Sequence, residues 1–492
     1  HTLLRFDQRG RGEQEHLLDY TLNFAAAVPP EDGGVAFAWK GIFGGYRGYF
    51  SVLPYYLKVL EYGDIDSRDL WEYRLSLSAD QADWMLRHTW ELGSTYFDYY
   101  FFRDNCSYHL LSLLEVADPT LHLREHFPLW ALPSDTVRLV AEQPGLVRQV
   151  TYRASRSSLL EQKLGLLTAA EQQAVVLLIQ DAQADPPGFA GWPAQRQALV
   201  LDTAADYFQL KLGANPQGDA RLRAHLRALL LRRSTVRATY AVQDFDPRSS
   251  PPEVGHRSAT VMLAVGAHSG GIAASAGPGQ PGALDRGFVE LGIQPAFHDL
   301  LSPDAGYAAN SQINLGQVRA RYEPQDGRLG LERLDLVNVV SLSPVDAVLH
   351  PPSWEVRAGW QRSHDGSCPG CVPFLLRAGA GLSGQVDWPR RTVGFALLDG
   401  TAEADASLAT GQRSGMGPRL GLLMDVTARW RMELSAARTF FTNGQAGQTT
   451  EASVKQRVAL GQNGELRLDW SSVQGLQGTP YQEAALELDW HW

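Results

Sequence analysis

From His256 to Trp492 the chain repeats one pattern: segments in which apolar and polar residues alternate, separated by glycine-rich or acidic turns. Trp354, Val356, Ala358 and Trp360 alternate with Glu355, Arg357, Gly359 and Gln361. Leu420, Leu422, Met424 and Val426 share one face of another segment. Trp430, Met432, Leu434 and Ala436 alternate with Arg431, Glu433 and Ser435. The last segment sets Leu486, Leu488, Trp490 and Trp492 against Glu487, Asp489 and His491. A period of two fits strands, because successive side chains leave opposite faces of a pleated backbone. Turns such as Gln325-Asp326-Gly327 and Gln462-Asn463-Gly464 punctuate the series.

Two architectures accept repeated alternating strands: a soluble sandwich or barrel, and an outer-membrane barrel. Aromatic residues gather at strand ends, as an interfacial girdle requires, and the other face is charged, as a wet lumen requires. The chain also ends on an aromatic residue that completes a strand. The expectation is therefore a transmembrane barrel over residues 256–492. Its strand number should be even, and about twelve segments fit the length.

No run of 18 uncharged apolar residues is present, so no transmembrane helix is expected. A net charge of -10 argues against a nucleic-acid partner. No signal peptide is visible, and His1-Thr2-Leu3-Leu4-Arg5-Phe6 reads like the middle of a strand, so upstream sequence is expected.

Residues 1–150 mix helix and strand signals. Thr2 to Phe6 and Leu17 to Ala26 read as strands, with Gly10-Arg11-Gly12 in a turn between them. Ala36 to Leu57 is rich in glycine and aromatics and reads as a loop, one suited to an interfacial surface or an aromatic core. Trp71 to Leu77 alternates as a strand, and Ser78-Ala79-Asp80 caps a helix to about Leu92. Helical spacing recurs over Leu159 to Gln183, Ala194 to Leu212 and Ala220 to Arg233, giving a helical segment at 151–243. The last of these carries Arg221, Arg223, Arg227, Arg232 and Arg233, which suits a solvated face. Asp244 to Pro252 has linker composition, placing a linker at 244–255.

Three cysteines are present: Cys106, Cys368 and Cys371. Cys368-Pro369-Gly370-Cys371 lacks the second ligand pair of a zinc site, so a local disulfide or two thiols is expected. Neither metal nor cofactor is implied. Cys106 follows the capping pair Asp104-Asn105 and opens an apolar helix. At a helix start the dipole lowers a thiol's pKa, which makes Cys106 a candidate nucleophile. A thiolate needs a base. His109 lies one turn further along the same helix, where alignment for proton transfer is poor. His88 sits mid-helix, and His16, His122 and His126 sit in polar loops. His1 heads a strand, a rigid element able to present an imidazole. Asn23, on the next strand between Leu22 and Phe24, can fix the ring's tautomer.

This order of His strand, polar strand and Asn-Cys at a helix start resembles the circularly permuted NlpC-type papain-like fold, the group that includes lecithin:retinol acyltransferase. His1 to Arg5, Lys40 to Tyr46 and Phe101 to Leu110 more closely resemble a family long catalogued as a domain of unknown function. Some members of that family are implicated in lipoprotein N-acylation, and proteobacterial members add a C-terminal barrel. The resemblance implies an α+β papain-like domain over residues 1–150, with Cys106, His1 and Asn23 catalytic. The fold class expected is thus this domain, a helical extension, and a barrel of about twelve antiparallel strands.

The leading functional expectation is a thiol acyltransferase on the periplasmic side of the outer membrane. Its donor would be a phospholipid, its acceptor an amine such as a lipoprotein N-terminus, and the surrounding membrane lipid a partner. Phe43, Tyr46, Tyr49 and Phe50, with Tyr100 and Asn105 beside the cysteine, are the expected substrate-binding residues. A cysteine peptidase or amidase acting on peptidoglycan, and a non-enzymatic barrel with a periplasmic scaffold, are the alternatives.

Overall fold

The computed structural model describes every residue except 9, 11, 215–218, 241–249, 270–283, 369 and 476–479. The chain divides into two compact units, His1–Glu253 and Val254–Trp492. The first half of the linker read at 244–255 lies outside the described residues; Pro252–Val254 forms a short 3-10 turn.

In the first unit, β1 (Leu4–Phe6), β2 (Tyr20–Ala26), β3 (Tyr46–Pro54) and β5 (Phe97–Tyr99) form an antiparallel sheet in the order β1-β2-β3-β5. A second, two-stranded sheet pairs β4 (Leu70–Leu75) with β6 (Val147–Arg153). The helices are α1 (Gly34–Phe43), α2 (Tyr55–Val59), α3 (Ala79–Leu92), α4 (Cys106–Ala117), α5 (Pro133–Glu142), α6 (Arg156–Gly165), α7 (Ala169–Gln180), α8 (Ala194–Ala214) and α9 (Ala220–Thr235). Helix α3 begins where the sequence places it, with Ser78 and Gln81 forming a reciprocal capping box. Leu22 of β2, Met85 of α3, and Leu110, Leu113 and Ala117 of α4 make one buried cluster. This cluster holds the start of α4 rigidly beside the sheet, each leucine contributing about 2 kcal/mol by its burial.

Five local readings need correction. The strand expected from Leu17 begins at Tyr20, because Glu13–Leu18 closes a 3-10 helix whose end is bonded from Asp19 N–H to His16 O. The strand at the chain start begins at Leu4, after His1 and Thr2. The stretch Ala36 to Leu57 is not a loop but parts of α1, β3 and α2. Glycine hides its period: Gly48 stands at an inward position of β3 because the Phe24 ring occupies the space a Cβ would need. The helical run Leu159 to Gln183 is broken, since Thr168 and Glu171 form a capping box that starts α7 afresh. In α9, Arg233 binds Asp202 and Arg232 binds the carbonyls of Ala182 and Ala184, so part of the basic run is used internally.

The second unit is a closed antiparallel barrel. Its strands are β7 (Thr260–His268), β8 (Arg286–Gln294), β9 (Ala296–His298), β10 (Ser311–Glu323), β11 (Arg328–Ser341), β12 (Ser353–Gln361), β13 (Phe374–Val386), β14 (Arg391–Ala404), β15 (Gln412–Asp425), β16 (Trp430–Asn443), β17 (Gly447–Ala459), β18 (Gly464–Gln474) and β19 (Tyr481–His491). Strand β19 pairs with β7, from His491 opposite Thr260 to Glu483 opposite His268, and closes the ring. Strands β8 and β9 pair in turn with β10 and are parted by Pro295, which has no N–H to give a ladder. They count as one interrupted strand, so the barrel has the twelve strands expected from the sequence.

The alternation points outward and inward as a lipid-facing barrel needs. On β19, Leu486, Leu488 and Trp490 are exposed, whereas Glu487, Asp489 and His491 are buried in the lumen. Inside, arginines meet carboxylates: Arg321 bonds Glu290 and Glu483, and Arg419 bonds Glu355 and Asp399. The segment between β9 and β10 folds inward. Leu300 and Leu301 pack with Val340, Leu342, Val393 and Phe395. Arg431 bonds the carbonyls of Leu300 and Ser302 and the carboxylate of Asp304, Arg457 bonds Leu301 O, and Arg467 bonds Asp299. Cys368 and Cys371 form a disulfide.

Candidate active site

The side chain at the centre is Cys106, the first residue of α4, which is 3% exposed. Asn105 builds the helix start. Its Oδ1 accepts from Ser107 N–H at 3.1 Å and Tyr108 N–H at 3.2 Å, and its Nδ2 donates to Phe101 O at 2.9 Å and Ala131 O at 2.6 Å. Two orphan donors of the helix are thereby satisfied, and the amide is tied to the preceding segment. Asn105 has both ends of its amide committed, so it positions Cys106 and has nothing to offer a substrate.

The imidazole of His1 lies between the cysteine and β2. Its Nε2 is 2.7 Å from Asn23 Oδ1. An amide oxygen only accepts, so Nε2 carries the proton in this bond and Nδ1 is the nitrogen left for the sulfur. Asn23 is itself buried, which fixes the direction of the bond. The Tyr62 ring stands 5.5 Å from the imidazole. Tyr62 lies on a π-helical turn, Leu60–Ile65, and such turns are rare and frequent at functional sites.

The electrostatics favour an ion pair. Burial works against a charged His1 ring, but the hydrogen bond and negative charge of Cys106 outweigh it, with Asn23 adding to them, and His1 titrates above its ordinary value. Burial likewise works against a thiolate, but the hydrogen bond and charge of His1 outweigh it, and the Cys106 thiol is pulled down. The backbone N–H and hydroxyl of Thr2 assist, the Oγ1 lying 3.9 Å from the sulfur. Burial and the nearby charge of Cys106 hold the Tyr99 phenol, at the end of β5, above its ordinary range, which sets its hydroxyl near the thiol. A buried thiolate beside an imidazolium is a nucleophile with its proton already transferred.

The other histidines are occupied differently. His109 packs on Phe24 at 4.1 Å and Phe97 at 4.8 Å, and burial pushes its pKa down to about 4, so it is neutral. His16 bonds Asp19 at 2.8 Å. Together with Asp7 these are the one group among the described residues whose potential metal-ligand atoms lie within 4.8 Å of one another. Asp7 is held by Arg5 at 2.6 Å, so the trio clasps the end of β1 by hydrogen bonds and ion pairs.

Of the expected substrate-binding aromatics, Phe43 and Tyr49 are exposed. Tyr46 is not available: it is buried, and its hydroxyl donates to Asp32 at 2.7 Å. Phe50 packs in the core, 4.9 Å from Phe24. Tyr100 is half-buried, its ring filling the space beside Gly44. The strand alternation Phe97, Tyr99 turns Tyr99 inward toward Cys106, and that signal distinguishes it from Tyr100. Thr2 and Tyr62 carried no comparable mark in the sequence.

Residues 1–143 match the model of the Lnb N-terminal periplasmic domain. Residues 150–244 match a domain of unknown function, DUF7842, and residues 249–492 match another, DUF7840. With an N-terminal region that matches a periplasmic-domain model and is followed by a closed twelve-strand barrel, the chain is an outer-membrane protein whose N-terminal domain faces the periplasm. Among solved structures, the barrel is similar to the NanC porin, with TM-score 0.30 and 7% identity, over 47% of this chain and 100% of that one. It is also similar to the COG4313 outer membrane channel from Pseudomonas putida F1, with TM-score 0.31 and 10% identity, over 52% of this chain and 100% of that one. A search of the curated proteins finds no match to the chain.

Proposed function

We propose that the periplasmic domain is a thiol acyltransferase that moves an acyl chain from a phospholipid, through a Cys106 thioester, to an amine. The observation that carries this reading is the placement of His1 between Asn23 and Cys106. The thiolate attacks the ester carbonyl of the donor, forming a C–S bond and an oxyanion. The Cys106 backbone N–H at the start of α4 and the Tyr99 hydroxyl near the thiol are the donors offered to that developing charge. Collapse breaks the ester C–O bond, and the departing glycerol oxygen takes the proton held on His1, leaving a lysophospholipid and an acyl-thioester. An amine then attacks the thioester, His1 accepts its proton, and the sulfur leaves as thiolate with an amide formed. Asn23 keeps the ring in one tautomer through both halves.

A barrel anchor supports the reading, since it confines the site beside a leaflet in which acyl donors are concentrated. The acceptor that best suits a periplasmic amide-forming site is the N-terminal amine of a lipoprotein. The test is reconstitution of the full chain with phospholipid and a synthetic S-acylated cysteinyl peptide bearing a free N-terminus. One N-acyl group should appear on the peptide for each lysophospholipid released. Cleavage of a muropeptide in place of acyl transfer would move the assignment to a peptidase or amidase.

A further inference from the structure

Helix α1 has the composition of a buried helix and the exposure of a surface one. Its sequence, Gly-Val-Ala-Phe-Ala-Trp-Lys-Gly-Ile-Phe, holds no carboxylate, and its one charge, Lys40, is bonded to Asp32 at 2.8 Å. Trp39 is 65% exposed, Phe43 61%, Ile42 41% and Phe37 40%. Trp39, Ile42 and Phe43 are spaced three and four apart, on one helix face, and the Trp39 and Phe43 rings sit 4.3 Å apart as a continuous apolar surface. A surface of this kind marks an interaction site. Among the described residues of the first unit, none covers it.

We propose that α1 docks on the periplasmic leaflet of the outer membrane, with its aromatic face at the boundary between headgroups and hydrocarbon. Three observations select a lipid leaflet as the occupant. The same polypeptide is anchored in that membrane, and only six residues, Val254 to Ala259, separate the end of the first unit from β7, a reach of about 25 Å when extended. Trp settles at headgroup level and Phe on the apolar face of an interfacial helix, and exposed Trp354, Trp388 and Trp490 on the barrel present the same chemistry. Ten residues of helix measure about 15 Å, too short to cross a bilayer and suited to lying in its plane.

The docking helix is joined directly to the nucleophile's segment. Phe101 N–H donates to Gly41 O at 2.8 Å, and the rings of Phe101 and Tyr100 fill the space beside Gly41 and Gly44. Asn105 then ties Phe101 O to the start of α4. Seating α1 in the leaflet therefore fixes the height of Cys106 relative to the ester groups of the lipid. This consequence rests on the acyl-transfer reading; the docking itself does not.

The test uses the full chain in phospholipid nanodiscs. A nitroxide is placed at Phe43→Cys in a Cys106→Ser background, with Gln173→Cys on the exposed face of α7 as the aqueous control. Position 43 should be open to oxygen and shielded from a water-soluble nickel chelate, and position 173 the reverse. Water-like accessibility at 43 overturns the docking. In otherwise wild-type protein, Trp39→Ser with Ile42→Ser should lower lysophospholipid release from vesicles by about tenfold while turnover of a water-soluble short-chain ester stays within about twofold. An equal fall in both overturns the positioning role. Shielding at 43 in a protein that never turns over lipid upholds the docking and fails the acyl-transfer reading instead.

Discussion

His1 Nε2 and Asn23 Oδ1 are 2.7 Å apart, and that contact decides which nitrogen of the ring meets the sulfur. The amide acts through the imidazole, so its loss should be read in the chemistry of Cys106. Asn23→Ala should lower acyl transfer by about 10²-fold, within the range of a mispositioned general base. Asn23→Gln should fail to rescue, because its longer amide cannot occupy the same buried site. An Asn23→Ala enzyme with full activity would remove Asn23 from the account.

The thiolate–imidazolium pair sets the pH dependence. Cys106 titrates below its ordinary value and His1 above its own, and both shifts favour coexistence of thiolate and imidazolium. Alkylation of Cys106 by iodoacetamide should rise as pH climbs through the lowered thiol pKa, with its midpoint below that of an ordinary cysteine. Acyl transfer, which needs His1 protonated for leaving-group departure, should fall as pH rises through the raised imidazole pKa, giving a bell. His1→Gln should move the alkylation curve upward, toward an ordinary thiol. The stability signs agree: the His1 contribution is present at low pH and lost as pH rises through its raised pKa, and the Cys106 contribution is present at high pH and lost as pH falls through its lowered one.

Asn105 supplies an N-cap and two buried amide donations, so Asn105→Ala should destabilise the first unit by about 2–3 kcal/mol. Asp is as good an N-cap as Asn in general. Here it would turn a carboxylate oxygen toward the carbonyls of Phe101 and Ala131, so Asn105→Asp should be no better than Ala. Faster hydrogen exchange of the α4 amides in both variants, with the barrel unchanged, is the measurement. Rescue by Asp would show that the cap alone matters.

The inward segment between β9 and β10 is latched to the barrel wall by Arg431, Arg457 and Arg467. A barrel so filled should act as an anchor. In planar bilayers the wild-type chain should give no porin-like conductance steps. Arg431→Gln with Arg457→Gln, which frees the carbonyls of Leu300 and Leu301, should introduce them. Large steady conductance from the wild type would contradict the latch.

The barrel was legible because a wall with lipid on one side and a wet lumen on the other imposes a period of two on every strand. Leu486, Leu488 and Trp490 against Glu487 and Asp489 display it. The interruption at Pro295 left the strand number unaltered, since β9 continues the pairing of β8 along β10. The inward segment was not legible, because Leu300 and Leu301 belong to no periodic run. In the first unit, Cys106, His1 and Asn23 were found by chemical type, and the fold brings them together. The run from Ala36 to Leu57 was misread because α1 is apolar on its exposed face and Gly48 leaves a blank in the pattern of β3. Tyr46 and Phe50 were singled out as aromatic, but burial against Phe24 decides their role, and burial is a property of the assembled sheet.

The covalent intermediate gives the most direct test of the central claim. Purified full-length protein, incubated with phospholipid of one defined acyl chain and no acceptor, should gain the mass of one acyl group on the peptide bearing Cys106. Neutral hydroxylamine should remove it, and Cys106→Ser and His1→Gln should prevent its rapid formation. An unmodified Cys106 peptide in folded wild-type protein, across the pH range in which the thiol is alkylated, would contradict the account.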